Sequence, residues 1–246
     1  MAGGAPRKYH AYMTRVPPQT LPDPLPSEPL QTAAHWLRQA FDEQVQPNPN
    51  AMTLATVGAD GQPSARIVLC KEIVLPEGYL LFFTNYASRK GAELETRPRA
   101  ATVFHWDALH RQVRIEGFVV RSPAAESDDY FASRPWQSRI GAWTSQQSQA
   151  VGSRHELLES LKAQARHFGG STDRSDAGLL NNETPRPHVP RPPHWGGYRL
   201  WADTVELWVE GEYRIHDRAR WTRRLTAVGH ADHFHATPWH VTRLQP

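Results

Sequence analysis

The sequence predicts a mainly β protein, an antiparallel barrel with peripheral helices. Five segments rich in β-branched and aromatic residues follow one another between residues 51 and 120, with one short helical segment among them. In segment 111–120 apolar residues alternate with polar ones, which is typical of a strand with one face toward solvent. Neither common glycine-rich phosphate loop, Gly-x-Gly-x-x-Gly or Gly-x-x-x-x-Gly-Lys-Ser/Thr, occurs, so a parallel βαβ sheet is not indicated.

Turn residues divide the apolar segments into strands. The clearest example is the turn Gly58-Ala-Asp-Gly61, which separates the first two segments. No internal repeat is present, so each strand is predicted from its own composition and periodicity. The predicted strands are 51–57, 64–71, 79–84, 100–106, 111–120, 197–202, 205–209, 213–222 and 239–244.

Helices are predicted where a capping residue precedes apolar residues at helical spacing. Ser27 is such a cap, and Pro29 in the first turn loses little because its missing N–H has no partner there. Ser153 and Glu156 form a capping box before the last helix. The predicted helices run from Ser27 to Phe41, from Ser88 to Arg97, from Ser122 to Pro135 and from Ser153 to Gly169.

Residues 1–26 are proline-rich and lack apolar periodicity, which predicts an irregular N-terminal arm. Residues 27–246 are predicted to form a single domain with long surface loops at 169–194 and 223–238. The second loop contains four possible metal ligands, but their spacing matches no known metal site, so we expect a solvated loop and no metal. These residues are His230, Asp232, His233 and His235.

Composition excludes several functions. The 246 residues carry 28 Lys and Arg against 25 Asp and Glu, a formal charge of +3, and no basic block that would indicate nucleic-acid binding. No apolar run approaches the roughly 20 residues that span a bilayer, and the N-terminus lacks the apolar core of a secretory signal. The single cysteine, Cys70, is expected to pack in the core and fits a reducing compartment. We therefore expect a soluble, cytoplasmic protein without membrane or nucleic-acid partners.

Two groups of cationic residues indicate binding of anions. Arg214, His216 and Arg218 occupy alternate positions of the predicted strand 213–222, so all three are expected on one face. Such a face repels itself unless an anion lies against it, and arginine suits phosphate or carboxylate. A second group, Arg89 and Lys90, begins a predicted helix, where backbone N–H groups also favour an anion.

The order of these motifs resembles that of the pyridoxine/pyridoxamine 5′-phosphate oxidase family, FMN enzymes with a split-barrel fold. The motifs are R-I-V-L-x-K, F-F-T-N-x-x-S-R-K, R-Q-V-R-x-E-G, Y-F-x-S-R-P-x-x-S-x-I-G-A-W, Q-S, W-G-G-Y and R-x-H-D-R. The resemblance extends from about residue 51 to Arg218 and resumes at the terminal Arg-Leu-Gln-Pro. It implies a mainly β, FMN-binding split barrel that forms a homodimer with FMN at the subunit interface.

The resemblance also implies a role for individual residues. It assigns catalysis to Arg214 and His216, which would lie against the substrate ring. Substrate binding falls to Lys71, Tyr130, Arg134 and Ser138, with Arg214 and His216. Cofactor binding falls to Arg66, Ile67, Val68, Leu69, Lys71, Phe83, Thr84, Ser88, Arg89, Lys90, Gln112, Gln147, Ser148, Trp208 and Arg218, of which Arg66, Arg89 and Lys90 would hold the FMN phosphate.

The implied reaction is oxidation of pyridoxamine or pyridoxine 5′-phosphate to pyridoxal 5′-phosphate, with O2 as electron acceptor and H2O2 as product. Two alternatives are open: a flavin oxidase of the same fold acting on another ring, as in the phenazine pathway, and a non-catalytic protein that binds flavin or pyridoxal phosphate. Arg139 departs from the family, which usually has Gln at this position. Arg7, Lys8 and Tyr9 are candidates for an arm that closes over the substrate.

Overall fold

The computed structural model describes residues 20–169, 187–229 and 233–246. Residues 20–28, at the start of this part, form neither helix nor strand, and residues 1–19 of the predicted arm, with Arg7, Lys8 and Tyr9, lie outside it. The helices are α1 (Pro29–Asp42), α2 (Arg89–Thr96), α3 (Ala124–Ser133), α4 (Trp136–Thr144) and α5 (Arg154–His167). The strands are β1 (Ala51–Val57), β2 (Pro63–Val74), β3 (Tyr79–Asn85), β4 (Arg99–Trp106), β5 (Arg111–Arg121), β6 (Trp195–Val209), β7 (Asp217–Thr222), β8 (Leu225–Val228), β9 (His233–Ala236) and β10 (His240–Leu244).

Six strands close into a barrel, which confirms the predicted mainly β fold. Their order is β6-β3-β2-β1-β4-β5, and β5 pairs again with β6 to complete the circle. Every pair is antiparallel. Strands β7 and β10 extend the sheet beyond β6, so β6 pairs with three strands, β3, β5 and β7.

The barrel interior is filled by alternate residues of its strands. Leu54, Phe82, Ile115 and Leu200 are fully buried there, and each such side chain contributes about 1.5–3 kcal/mol. Strand β5 approaches β6 closely at Gly117, where a Cβ atom would lie 1.8 Å from the carbonyl oxygen of Trp201. Only glycine therefore fits at that bulge in the β5–β6 ladder.

The structure corrects several predictions. Helix α1 has Glu28 as its cap residue, without a side-chain hydrogen bond, so the predicted cap at Ser27 is wrong. Segments 197–202 and 205–209 are not two strands but parts of the continuous strand β6. The segment after Pro135 is a helix, α4, which was not predicted. Loop 223–238 contains the hairpin of β8 and β9, whose Leu225 and Phe234 pack near Trp201. Residues 170–186 of the other predicted loop lie outside the described part.

The strand predicted at 213–222 begins only at Asp217. A short 3-10 turn covers Glu212–Arg214, and Tyr213 and Arg214 have φ values of 55° and 66°. Residues in the left-handed backbone conformation cannot belong to an extended strand. The prediction that Arg214, His216 and Arg218 alternate along one strand face is therefore wrong.

Within the described ranges no helix has the length and apolar character needed to cross a bilayer. The same residues contain no group of three or more histidine, cysteine or acidic side chains arranged for a metal ion. His230 and Asp232 of the histidine-rich loop lie outside the described residues. Cys70 is buried, and its burial raises the pKa of the thiol to about 12.

Candidate active site

A cleft of about 600 Å³ lies beside strands β2 and β3 and helix α4. Its volume is within the usual range of small-molecule sites. Its lining includes twelve of the residues to which the resemblance assigned cofactor or substrate binding. These are Arg66, Ile67, Val68, Leu69, Lys71, Phe83, Thr84, Lys90, Tyr130, Arg134, Ser138 and Gln147.

The first cationic cluster is Arg66, Arg89 and Lys90. Arg66 comes from β2, whereas Arg89 and Lys90 form the first turn of α2, whose cap is Ser88. The guanidinium groups of Arg66 and Arg89 meet at the carboxylate of Glu93, at N–O distances of 3.2 and 2.8 Å. Sequence reasoning missed Glu93, because a glutamate on a short polar helix gives no sign that it is buried.

Lys90 is buried among neutral oxygen atoms. Its Nζ donates to Thr84 Oγ1 at 3.0 Å, to Ser88 Oγ at 3.2 Å and to Gln147 Oε1 at 2.6 Å. Burial, and then the charge of Arg66, lower the pKa of Lys90 to about 8. Ser148, next to Gln147, accepts a hydrogen bond from the Arg89 amide at 3.2 Å. The 146–148 segment is thus joined to the start of α2.

The second cluster surrounds Tyr130 on α3. Lys71 Nζ lies 5.3 Å from the centre of the Tyr130 ring, which stacks on Phe83 at 4.1 Å. Arg134 follows α3, and its guanidinium lies 4.6 Å from the Trp195 ring. In the described ranges Arg134 Nη1 is buried without a hydrogen-bond partner, and burial lowers the pKa of Arg134. A buried guanidinium nitrogen without a hydrogen-bond partner favours an anionic ligand at this position.

Not all predicted residues line this cleft. Ser88 accepts a hydrogen bond from Lys90, which lines the cleft. Arg89 and Ser148 bond to each other, and Arg89 is linked to the lining residue Arg66 only through Glu93. Five others belong to a separate group on β5, β6, β7 and the turn before β7: Gln112, Trp208, Arg214, His216 and Arg218. The lining also includes Asn85, Ser145 and Trp195, which were not predicted as site residues. Asn85 and Trp195 do stand in two of the matching motifs.

The separate group is ordered by strand register. Gln112, Trp208 and Arg218 lie opposite one another on β5, β6 and β7. Arg218 Nη2 donates to the buried Glu206 Oε1 at 2.9 Å. His216 has its ring centre 4.7 Å from that of Trp208, and its Nδ1 accepts the Gly211 amide at 3.2 Å. Arg214 is exposed on the 3-10 turn.

The closed six-strand antiparallel barrel, with helices packed against β1 and β6, defines the class of split-barrel proteins. The sequence model described as "Pyridoxamine 5'-phosphate oxidase" matches residues 37–163, more than half of the chain. A second, described as "Pyridoxine 5'-phosphate oxidase C-terminal dimerisation region", matches residues 195–246. The chain belongs to the pyridoxamine 5′-phosphate oxidase family, and the second match supports a homodimer.

Similar proteins agree with this family. A pyridoxine/pyridoxamine 5′-phosphate oxidase of Burkholderia orbicola (strain MC0-3) is 46% identical over 219 residues, which is 89% of each chain. One of Paraburkholderia xenovorans (strain LB400) is 47% identical over 211 residues, 86% of this chain and 85% of the relative. Among solved structures, PhzG from Burkholderia lata 383, in complex with tetrahydrophenazine-1-carboxylic acid, is 30% identical with a TM-score of 0.72. It covers 91% of this chain and 95% of its own.

A more distant structure shows the fold alone. An FMN-binding, pyridoxamine 5′-phosphate oxidase-related protein from Nostoc punctiforme PCC 73102 has a TM-score of 0.57 at 14% identity. That match covers 89% of this chain and 98% of the Nostoc chain.

Proposed function

We propose that this protein binds FMN and oxidises pyridoxamine or pyridoxine 5′-phosphate to pyridoxal 5′-phosphate, with O2 as acceptor and H2O2 as product. The amine substrate also consumes one water molecule and releases ammonia. The observation that carries the proposal is the presence of two cationic clusters in or beside one cleft. One ligand with one phosphate needs only one such cluster. Two clusters fit a phosphorylated cofactor and a phosphorylated substrate that lie side by side.

The first cluster suits the FMN phosphate. Arg66, Arg89 and Lys90 with the single carboxylate of Glu93 leave a formal charge of +2, which matches a phosphate dianion. Lys90 Nζ already donates to three neutral oxygen atoms, so a phosphate can replace one of them without breaking an ion pair. When bound, FMN would supply the two-electron acceptor that no side chain provides.

The second cluster suits the phosphate of the B6 vitamer. Lys71 and Arg134 supply two cations, and Tyr130 and Ser138 supply hydroxyl groups, all in the lining of one cleft. Neither Lys71 nor Arg134 has a carboxylate within 4.0 Å among the described residues. An incoming dianion therefore displaces no ion-pair partner, and the fixed fork of Arg134 can donate two parallel hydrogen bonds.

The separate group on β5, β6 and β7 would complete the site in a homodimer. Gln112, Trp208 and Arg218 would approach the FMN of the other chain, and Arg214 and His216 would lie against the substrate ring. Because His216 Nδ1 accepts the Gly211 amide, the neutral ring carries its proton on Nε2. His216 would thus orient the substrate by donating from Nε2, while exposed Arg214 covers the ring.

One observation favours a second candidate, oxidation of a phenazine precursor. The PhzG structure, at 30% identity, binds tetrahydrophenazine-1-carboxylic acid, which bears a carboxylate and no phosphate. A carboxylate monoanion needs fewer donors than the set of Lys71, Tyr130, Arg134 and Ser138 offers. This surplus of donors supports the phosphorylated substrate. A non-catalytic binding protein would bind the same ligands and consume no O2.

The test is to load the purified protein with FMN, confirm flavin absorbance and add pyridoxamine 5′-phosphate under air. Formation of pyridoxal 5′-phosphate and H2O2 in equal amounts is the expected result. Dephosphorylated pyridoxamine should react at least tenfold less efficiently, since it makes no use of the second cluster. Faster turnover of tetrahydrophenazine-1-carboxylic acid would favour the second candidate. A protein that cannot be loaded with FMN would contradict both.

A further inference from the structure

A buried carboxylate lies between the cations of the first cluster. The side chain of Glu93 on α2 is 6% exposed, and four donors converge on it. They are the hydroxyl groups of Thr56 and Ser64, Arg66 Nη2 at 3.2 Å and Arg89 Nε at 2.8 Å. Burial acts to raise the pKa of Glu93, but these hydrogen bonds and the charge of Arg66 outweigh it and lower the pKa to about 2.

A negative charge in a site for an anion is unfavourable by Coulomb's law, so its presence needs a reason. Arg89 provides one. Its side chain is 58% exposed, and Glu93 is its only side-chain hydrogen-bond partner among the described residues. That contact uses Nε and leaves Nη1 and Nη2 for a bidentate contact with a phosphate. Without Glu93, no side chain among the described residues would hold the Arg89 guanidinium in place.

Arg66 depends on Glu93 less strongly. Its Nη1 donates to Leu54 O at 3.3 Å and to the Thr56 hydroxyl, and its Nη2 also donates to the Ser64 hydroxyl. Both hydroxyl groups in turn donate to Glu93. Glu93 therefore sets the direction of the two hydroxyl groups that hold Arg66.

We propose that Glu93 is the positioning residue of the FMN phosphate site, where it holds Arg89 and Arg66 in the orientation that receives the phosphate. This inference rests on the proposed binding of FMN by Arg66, Arg89 and Lys90. It concerns a residue that would not itself contact the phosphate. Its contribution would come through the geometry of the two arginines, at the expense of some Coulomb attraction.

Whether Glu93→Gln raises or lowers the FMN affinity shows whether Glu93 acts by positioning the arginines or only through its charge. If only charge mattered, Glu93→Gln would strengthen FMN binding, because the site would gain positive charge. Positioning predicts weaker binding, since Gln offers one neutral acceptor oxygen where the Glu93 carboxylate accepts from four donors, so Arg89 loses its charged partner. A hydrogen bond to a charged group contributes about 1.5–3 kcal/mol, so FMN should bind roughly ten- to a hundredfold less tightly. The affinity for riboflavin, which has no phosphate, should change less than about twofold.

The pH profile gives a second readout. Lys90 is surrounded by the charges of Arg66 on β2 and Glu93 on α2, and by the neutral Thr84, Ser88 and Gln147. Arg66 lowers the pKa of Lys90, whereas Glu93 raises it. In Glu93→Gln the FMN affinity should therefore begin to fall at a lower pH than in the parent protein. Glu93→Asp keeps the charge but is one methylene shorter, so it should weaken FMN without moving the pH profile.

The experiment measures FMN and riboflavin dissociation constants by quenching of flavin fluorescence, in the parent protein and in Glu93→Gln, Glu93→Asp, Arg89→Ala and the double variant Glu93→Gln/Arg89→Ala. Glu95→Gln is the matched control, because Glu95 is on the same helix but pairs with Arg121 at 2.9 Å. We expect the losses of FMN affinity caused by Glu93→Gln and Arg89→Ala not to add in the double variant, since both substitutions remove the same charged contact. Glu95→Gln should bind FMN like the parent.

Three outcomes would overturn the inference: tighter or unchanged FMN binding in folded Glu93→Gln, equal losses for FMN and riboflavin, or additive effects in the double variant. If Glu93→Gln does not fold, Glu93→Asp decides, and parent-like FMN binding in that variant overturns the inference. Failure of the proposed function has a different signature. In that case the parent protein itself would bind FMN no more tightly than riboflavin.

Discussion

Replacing Arg134 with methionine tests the second phosphate site. The Arg134 guanidinium lies over the Trp195 ring at 4.6 Å and has a buried Nη1 without a partner among the described residues. If it binds the substrate phosphate, its loss removes one or two charge-assisted hydrogen bonds of about 1.5–3 kcal/mol. For pyridoxamine 5′-phosphate, kcat/KM should therefore fall by roughly ten- to a hundredfold. For pyridoxamine without phosphate it should stay within about twofold.

The same substitution should have little effect on stability. A buried group without a partner costs about 1–3 kcal/mol, and the contact of a cation with an aromatic ring contributes about 0.5–2 kcal/mol. The two effects oppose each other, so the free energy of unfolding measured in urea should change by less than about 1 kcal/mol.

Arg121→Met is the matched control for Arg134→Met. Arg121 lies over an aromatic ring in the same way, 4.4 Å from that of Tyr86, but it does not line the cleft. The kcat/KM of Arg121→Met for pyridoxamine with and without phosphate should equal that of the parent protein. The assignment is refuted if Arg134→Met reduces activity equally for phosphorylated and unphosphorylated substrates, or if it unfolds the protein without a selective loss.

Three further predictions concern Lys90, Arg214 and Phe234. FMN binding should weaken above pH 8, because the buried Lys90, whose pKa is lowered to about 8, then loses the proton that the phosphate favours. In Lys90→Met, fluorescence titrations from pH 6.5 to 9.5 should show weaker binding without this alkaline decline, and an unchanged decline would assign it to another group. Arg214→Ala should lower kcat at least about tenfold while FMN binds normally, and unchanged kinetics would remove Arg214 from the site. Phe234→Ala should lower the free energy of unfolding by about 2 kcal/mol with FMN affinity intact, because Phe234 packs on Trp201 at 5.3 Å; parent-like stability in urea would contradict that packing.

The sequence was sufficient for elements whose signal is local. The barrel strands β1 to β5 carry continuous or alternating apolar residues, and their predicted bounds agree with the structure to within a few residues. The caps at Ser88 and Ser153 accept the expected amide hydrogen bonds from Gly91 and Glu156. In these segments local preference and tertiary packing favour the same structure.

Other elements depend on contacts that are distant in the chain. Helix α4 was missed because Pro135 suggested an end, whereas a proline also precedes a helix without loss. The β8–β9 hairpin has short strands with mostly exposed residues, and its stability comes from packing near Trp201 on β6. The turn at Tyr213 and Arg214 has positive φ values in residues that rarely adopt them, which no local pattern indicates.

The site residues also divide into those that a local motif indicates and those that depend on contacts distant in the chain. Most residues that line the cleft lie in short motifs, so the resemblance could assign twelve of the seventeen one by one; Ser145 lies in none of the motifs. Glu93 could not be found in this way, because its partners Thr56, Ser64 and Arg66 come from β1 and β2. Its burial is a property of the folded barrel and not of helix α2 alone.

The most direct test of the two-phosphate cleft is a crystal structure of the dimer with FMN and pyridoxal 5′-phosphate. We predict the FMN phosphate against Arg66, Arg89 and Lys90 and the pyridoxal phosphate against Lys71, Arg134 and Ser138, with Arg214 and His216 contributed by the other chain. Either phosphate bound outside its cluster, or a site completed within one chain, would contradict this account.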